Sequence, residues 1–212
     1  MGKKIKKGLL IVFEGTDGTG KSTQLELLFK AFHSRGYPVL ATREPTSGQY
    51  GKKIRELYIK REEYSAEEEL ELFLADRREH VDNILLPALD QGKIIVCDRY
   101  FLSTAAYQGA LGFDPESVLS RNSFAPDPDL ALIFHAPVNT GITRITLARG
   151  DTLNDFEQIE NLTKVAKIFA AIDRPYIKRI NASGSIESVH QEVMNHISTL
   201  LAGSSFPTLN LQ

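Results

Sequence analysis

Leu9-Leu10-Ile11-Val12-Phe13-Glu14-Gly15-Thr16-Asp17-Gly18-Thr19-Gly20-Lys21-Ser22 is the stretch that decides the fold of this 212-residue chain. Its first five residues form an unbroken apolar run, the pattern of a strand buried on both faces. Gly15 to Ser22 then matches G-x-x-x-x-G-K-[ST]. The glycines of that pattern let the backbone curl until successive amide N–H groups face one concavity, which holds anions. A helix expected from about Lys21 adds the positive end of its dipole beneath the same point. Lys21 has the reach for β- and γ-phosphates, and the Ser22 hydroxyl suits Mg²⁺. A chance glycine-rich turn would lack this setting. Leu25, Leu28, Phe29 and Phe32 follow at helical spacing and Gly36 closes the run, so the loop joins a buried strand to an amphipathic helix.

Outward from this stretch, strands and helices alternate, which predicts a parallel sheet covered on both faces. Pro38 to Thr42, Ile94 to Cys97 and Leu130 to Phe134 read as further strands, the last preceded by the turn signal Pro126-Asp127-Pro128-Asp129. Gly51 to Tyr58 reads as a helix. Ser65-Ala66-Glu67-Glu68 is a capping box opening another, with Leu70, Phe73, Leu74, Val81 and Ile84 along it. Pro87 is expected to kink or end that helix. Phe156 to Ile172 and Val189 to Leu200 carry the last two apolar stripes. The expectation is one three-layer α/β domain over residues 1–212, with a parallel sheet of about five strands and a loose tail from about 203.

Composition narrows the function without naming it. An apolar share of 42%, a charged share of 25% and a net charge of −2 are ordinary for a globular chain and favour neither nucleic acid nor a membrane surface. No run is long and apolar enough to span a membrane. Lys3, Lys4, Lys6 and Lys7 read as a solvated terminus, and Glu14 in the following segment argues against a signal peptide. The single cysteine, Cys97, lies in a core-like run and reads as packing rather than as a nucleophile. It has no internal disulfide partner, which fits a reducing cytoplasm.

A nucleotide-binding loop of this type serves switches, motors and kinases alike. A guanine-reading Asn-Lys-x-Asp is missing, and a second positive cluster is present. Thr42-Arg43-Glu44-Pro45 and Asp98-Arg99-Tyr100 each fall at a strand's carboxyl end, where open α/β sheets place their ligands. Two arginines converging beside an anion loop suggest a clamp for a second phosphate. Asp98 suits an Mg²⁺ water shell or the orienting of Arg99, with a helix cap as the plainer reading.

Four blocks carry a specific resemblance. Phe13 to Gln24, Thr42 to Pro45, Phe73-Leu74-Ala75-Asp76-Arg77 and Asp98 to Gly109 resemble, in order and spacing, the signatures of thymidylate kinases. The resemblance implies transfer of the γ-phosphoryl of ATP to dTMP. It implies that Gly15, Thr16, Asp17, Gly18, Thr19, Gly20, Lys21, Ser22 and Thr23 bind ATP, with Arg144 against adenine and Ala182 in the loop bordering it. Asp17 would bond the acceptor's 3′-hydroxyl, while Arg43 and Arg99 hold its phosphate. Phe73 would stack on the base and Arg77 donate to a base carbonyl. Ser103, Thr104 and Gln108 would approach the base edge, and Tyr107 would press on the sugar. At helical spacing Phe73 and Tyr107 also read as core. Ser22 and Asp98 would hold Mg²⁺, and the family implies a homodimer.

Transition-state charge needs a further arginine, from the phosphate loop or from a mobile lid. The loop position is Gly18, so a lid expected over about 144–157 must supply it, and Arg149 is the arginine left for the role. A solvated helix-end residue is the other reading of Arg149. Catalysis would rest on Lys21, Arg99, Arg149 and Asp17. Two alternatives stay open: a kinase of another nucleotide or nucleoside, and a nucleotide-binding regulatory protein. Acceptor-independent ATP turnover would mark the second.

Overall fold

The computed structural model describes residues 8–149 and 159–207, the side chains of residues 145 and 147–149 excepted. Five parallel strands form one sheet in the order β2-β3-β1-β4-β5: β1 (Leu9–Gly15), β2 (Val39–Arg43), β3 (Ile94–Asp98), β4 (Leu130–His135) and β5 (Ile177–Asn181). The apolar run that opens the chain is therefore the central strand, buried throughout. Its side chains alternate between two cores, as strand geometry requires.

Ile11 and Phe13 join Ile94, Val96, Leu132 and Phe134 under α1 (Lys21–Ser34) and α9 (Ile186–Ala202). Leu10 and Val12 join Ile95, Cys97, Ala131 and Ile133 on the opposite face. That face is covered by α3 (Ala66–His80), α5 (Phe101–Ala110) and α8 (Ile159–Ala171). The three-layer α/β architecture expected from the alternation is the one observed. The remaining α-helices of the described residues are α2 (Gln49–Leu57), α4 (Leu86–Asp90), α6 (Pro115–Arg121) and α7 (Val138–Arg149). Among the described residues, no helix is long and apolar enough to cross a membrane.

The capping box forms as read. Ser65 Oγ accepts from the Glu68 amide at 3.2 Å, and the Glu68 carboxylate accepts from the Ser65 amide at 2.8 Å. Pro87 does not end the helical run, which continues to Asp90. The five residues before α4, Val81–Leu85, form a π-helical turn. A widened turn makes room for the proline ring and leaves its missing N–H without consequence. β5 was not located by periodicity, because Ile-Lys-Arg-Ile-Asn is an edge strand with charged residues exposed beside its buried Ile180.

Candidate active site

The loop between β1 and α1 turns through Gly15, Gly18 and Gly20, with φ of 125°, 76° and 84°. A Cβ on Gly18 would lie 2.1 Å from the Gly141 carbonyl oxygen of α7, so the loop seats backbone to backbone on that helix. No side chain fits at this position without displacing α7. Lys21 is 5% exposed and donates through Nζ to the Thr16 carbonyl at 2.8 Å, and Thr19 Oγ1 donates to the same oxygen. Burial, and after it the Arg99 charge, pulls the Lys21 ammonium down to about 8. No side chain caps the start of α1. Its first amides are thus left for an anion.

Ser22 Oγ donates to Asp98 Oδ2 at 2.8 Å. Asp98 Oδ1 is buried with no hydrogen-bond partner among the described residues. The pair offers hard oxygen donors, one of them unused, beside an anion loop. Mg²⁺ takes few protein ligands and completes its shell with phosphate and water. The residues fit Mg²⁺.

Arg99 follows β3 with φ 68°, a left-handed conformation rare for arginine. This turn aims the guanidinium back at the phosphate loop. Nη2 donates to Asp17 Oδ1 at 2.6 Å and to the Tyr107 hydroxyl at 3.3 Å, while Nη1 donates to Ser103 Oγ at 3.0 Å. Tyr107 Oη donates in turn to Asp17 Oδ2 at 3.0 Å. Burial acts to raise the Asp17 carboxyl, but the Arg99 and Lys21 charges outweigh it and hold the group well below the usual carboxylate range.

Beside this cluster opens a cleft of about 290 Å³. Asp17, Arg43, Phe73, Arg77, Arg99, Ser103, Thr104, Tyr107 and Gln108, the nine residues expected around an acceptor, all line it. Phe73 and Tyr107 are half-buried in its wall rather than sealed in the core. Arg77 is 1% exposed, donating to Asn122 Oδ1 at 2.6 Å, Glu44 Oε2 at 2.5 Å and Thr104 Oγ1 at 3.0 Å. Its Nε–H has no partner among the described residues.

A smaller cavity of about 180 Å³ lies on the other flank of the loop, bounded by Thr19, Gly20, Thr23, Arg144 and Ala182. Arg144 Nη1 donates to the Ala182 carbonyl at 2.9 Å, tying α7 to the end of β5. The segment expected as a lid, about 144–157, begins inside α7, which runs on to Arg149; the Arg149 side chain and residues 150–157 lie outside the described residues.

Sequence reasoning missed four walls of the cleft, Glu44, Pro45, Tyr58 and Tyr100. It also missed Glu14, which is fully buried in β1. Glu14 accepts from the Tyr100 amide at 2.9 Å, the Ser103 amide at 3.2 Å and the Ser103 hydroxyl. It thereby caps α5 from across the sheet, where the helix has no cap of its own. Burial pushes this carboxyl up to about 7, against the hydrogen bonds from Ser103 and the charge of Arg99. A lone glutamate in an apolar run was its only signal.

An anion loop with a cation-lined second cleft at one sheet edge defines a phosphotransferase with separate donor and acceptor sites. The family model described as thymidylate kinase matches residues 13–193. The chain is 56% identical to the thymidylate kinase of Desulfotalea psychrophila over 194 residues, 92% of this chain and 96% of that one. It is 42% identical to the probable thymidylate kinase of Pyrococcus horikoshii, covering 93% and 99%. With the thymidylate kinase of Xanthomonas euvesicatoria the identity is 44%, covering 92% and 85%. The chain belongs to the thymidylate kinase family.

Proposed function

We propose how the residues of this dTMP kinase divide the transfer of the γ-phosphoryl of ATP to dTMP, which yields dTDP and ADP for DNA precursor supply. One observation carries the reading: the cleft meets the phosphate loop at the Asp17–Arg99 contact of 2.6 Å, so an acceptor phosphate held there faces the donor. Arg43, exposed at the end of β2, and Arg99 hold that phosphate. Phe73 stacks on the base, and Arg77, Ser103, Thr104 and Gln108 read its edge. Asp17 takes the 3′-hydroxyl, and the Tyr107 ring fills the space where a ribose carries its 2′-hydroxyl.

ATP lies along Gly15 to Thr23, with adenine between Arg144 and the Ala182 loop. Ser22 and Asp98 would hold Mg²⁺, which when bound supplies positive charge to the phosphate oxygens. The protein's own part is positioning and electrostatics. Lys21, Arg99 and Arg149, the last carried on a lid over about 144–157, face the charge that develops as the bond to the β-phosphate breaks. No covalent enzyme intermediate is needed. The working unit is a homodimer of single-domain chains in the cytoplasm, whose reducing conditions suit the buried thiol of Cys97.

A kinase assay with dTMP, dUMP, UMP, CMP, AMP and GMP side by side tests the substrate. Highest kcat/KM with dTMP is expected. Turnover of ATP that ignores the acceptor would overturn the reading.

A further inference from the structure

Gln108 is completely buried on α5 and lines the acceptor cleft. Its Nε2 donates to Glu69 Oε1 at 2.6 Å, while its Oε1 is buried with no partner among the described residues. Glu69 is 2% exposed and does not line the cleft, so the nitrogen end of the amide is turned to the wall behind it. Arg61 donates to the same carboxylate, Nε to Oε2 at 3.1 Å. A carboxylate flanked by two N–H donors accepts from both, so Gln108 presents its Nε2–H to it. The amide therefore has one orientation.

We propose that Glu69, acting through Gln108, makes the acceptor cleft reject cytosine in favour of thymine or uracil. The proposal rests on the reading above in which the base edge meets Gln108. A thymine edge carries a carbonyl oxygen beside an N3–H, whereas cytosine carries an amino group beside a bare ring nitrogen. An amide held with Oε1 free offers an acceptor to the N3–H of thymine and a repulsive lone pair to the N3 of cytosine. Arg77, which lines the same cleft, carries donors only, matching a base carbonyl and not an amino group. An unrestrained glutamine would turn its amide over and serve both bases, so discrimination requires whatever prevents the turn. Glu69 is then a positioning residue for specificity.

The test measures kcat/KM for dTMP, dUMP and dCMP at saturating ATP, together with calorimetric dissociation constants for dTMP and dCMP. In Glu69→Gln the partner amide can donate or accept, and Gln108 is free to turn. The preference for dTMP over dCMP should fall about tenfold or more, the scale of one mismatched buried polar group. The dTMP-to-dUMP ratio and the KM for ATP should stay within about twofold, since neither the base methyl nor the donor site meets this amide. Gln108→Met should lose the same preference, and adding Glu69→Gln to it should change nothing further, because both act on one contact. Should Glu69→Gln fail to fold, the Gln108→Met result decides. An unchanged dTMP-to-dCMP ratio in either folded variant, an equal loss on both nucleotides, or additive losses in the double variant would each overturn the proposal. A wild-type enzyme indifferent between dTMP and dCMP would instead overturn the base reading, and the proposal with it.

Discussion

Lys21 shows what one residue does here that its neighbours cannot. Its ammonium is buried and, among the described residues, bonds one backbone oxygen, so Lys21→Ala should leave the thermal midpoint nearly unchanged while kcat falls about 10²- to 10³-fold. Because its titration lies at about 8 in the free enzyme, the charge is present below that pH and lost above it. The KM for ATP should therefore rise from pH 8 to 9.5, and Lys21→Arg should flatten the rise; a flat wild-type profile would count against the assignment. At the acceptor site, Phe73→Ala should raise the KM for dTMP about 5- to 150-fold and leave that for ATP unchanged, since stacking contributes about 1–3 kcal/mol. A plain loss of stability would favour a core role instead. Tyr107→Ala should relax the preference for dTMP over its ribose counterpart, and Tyr107→Phe should not, because the ring is kept.

At the scale of elements, α5 presents Ser103, Thr104, Tyr107 and Gln108 to one cleft, and its start is held by Glu14 of β1. Glu14→Ala should cost about 1–3 kcal/mol of stability through the uncapped amides and should raise the KM for dTMP as Arg99 and Tyr107 lose register. Glu14→Gln keeps an acceptor but cannot ionise. The wild-type carboxyl titrates near 7 in the folded chain and lower when unfolded, so the folded state holds the proton more tightly. Its favourable contribution is full below about pH 4.5 and is lost as pH rises toward 7. Denaturant midpoints of wild type relative to Glu14→Gln should fall across that window, and parallel curves would refute the assignment.

For the whole molecule, the close approach of Gly18 to Gly141 joins the phosphate loop to α7, the helix that ends at Arg149. Gly18→Ala should lower stability and slow turnover together, because backbone rather than a flexible side chain stands in the way. Arg149→Ala should reduce kcat by about 10³-fold with little change in either KM, the signature of a contact made in the transition state. If Arg144→Ala abolishes kcat and Arg149→Ala does not, the two roles are exchanged. Light scattering should find twice the 23.6 kDa chain mass in solution; a monomer with full activity would refute the dimer.

Seven of the nine residues that meet in the cleft were legible only through the resemblance to thymidylate kinases. Local signals in the sequence carried the phosphate loop, four of the five strands, the capping box, and Arg43 and Arg99 at their strand ends. Each belongs to a short stretch whose spacing or composition has a direct physical meaning, so no knowledge of distant neighbours was needed. The tertiary structure decided what those stretches are coupled to. Glu14 reaches Tyr100 across 86 residues and Gln108 reaches Glu69 across 39, pairings that leave no periodic trace in either segment. β5 is a strand because β4 is there to pair with it, and Gly18 must be glycine because α7 passes against it. Burial is what gives such long-range contacts their force, since a hydrogen bond or charge removed from water must find a partner in the fold.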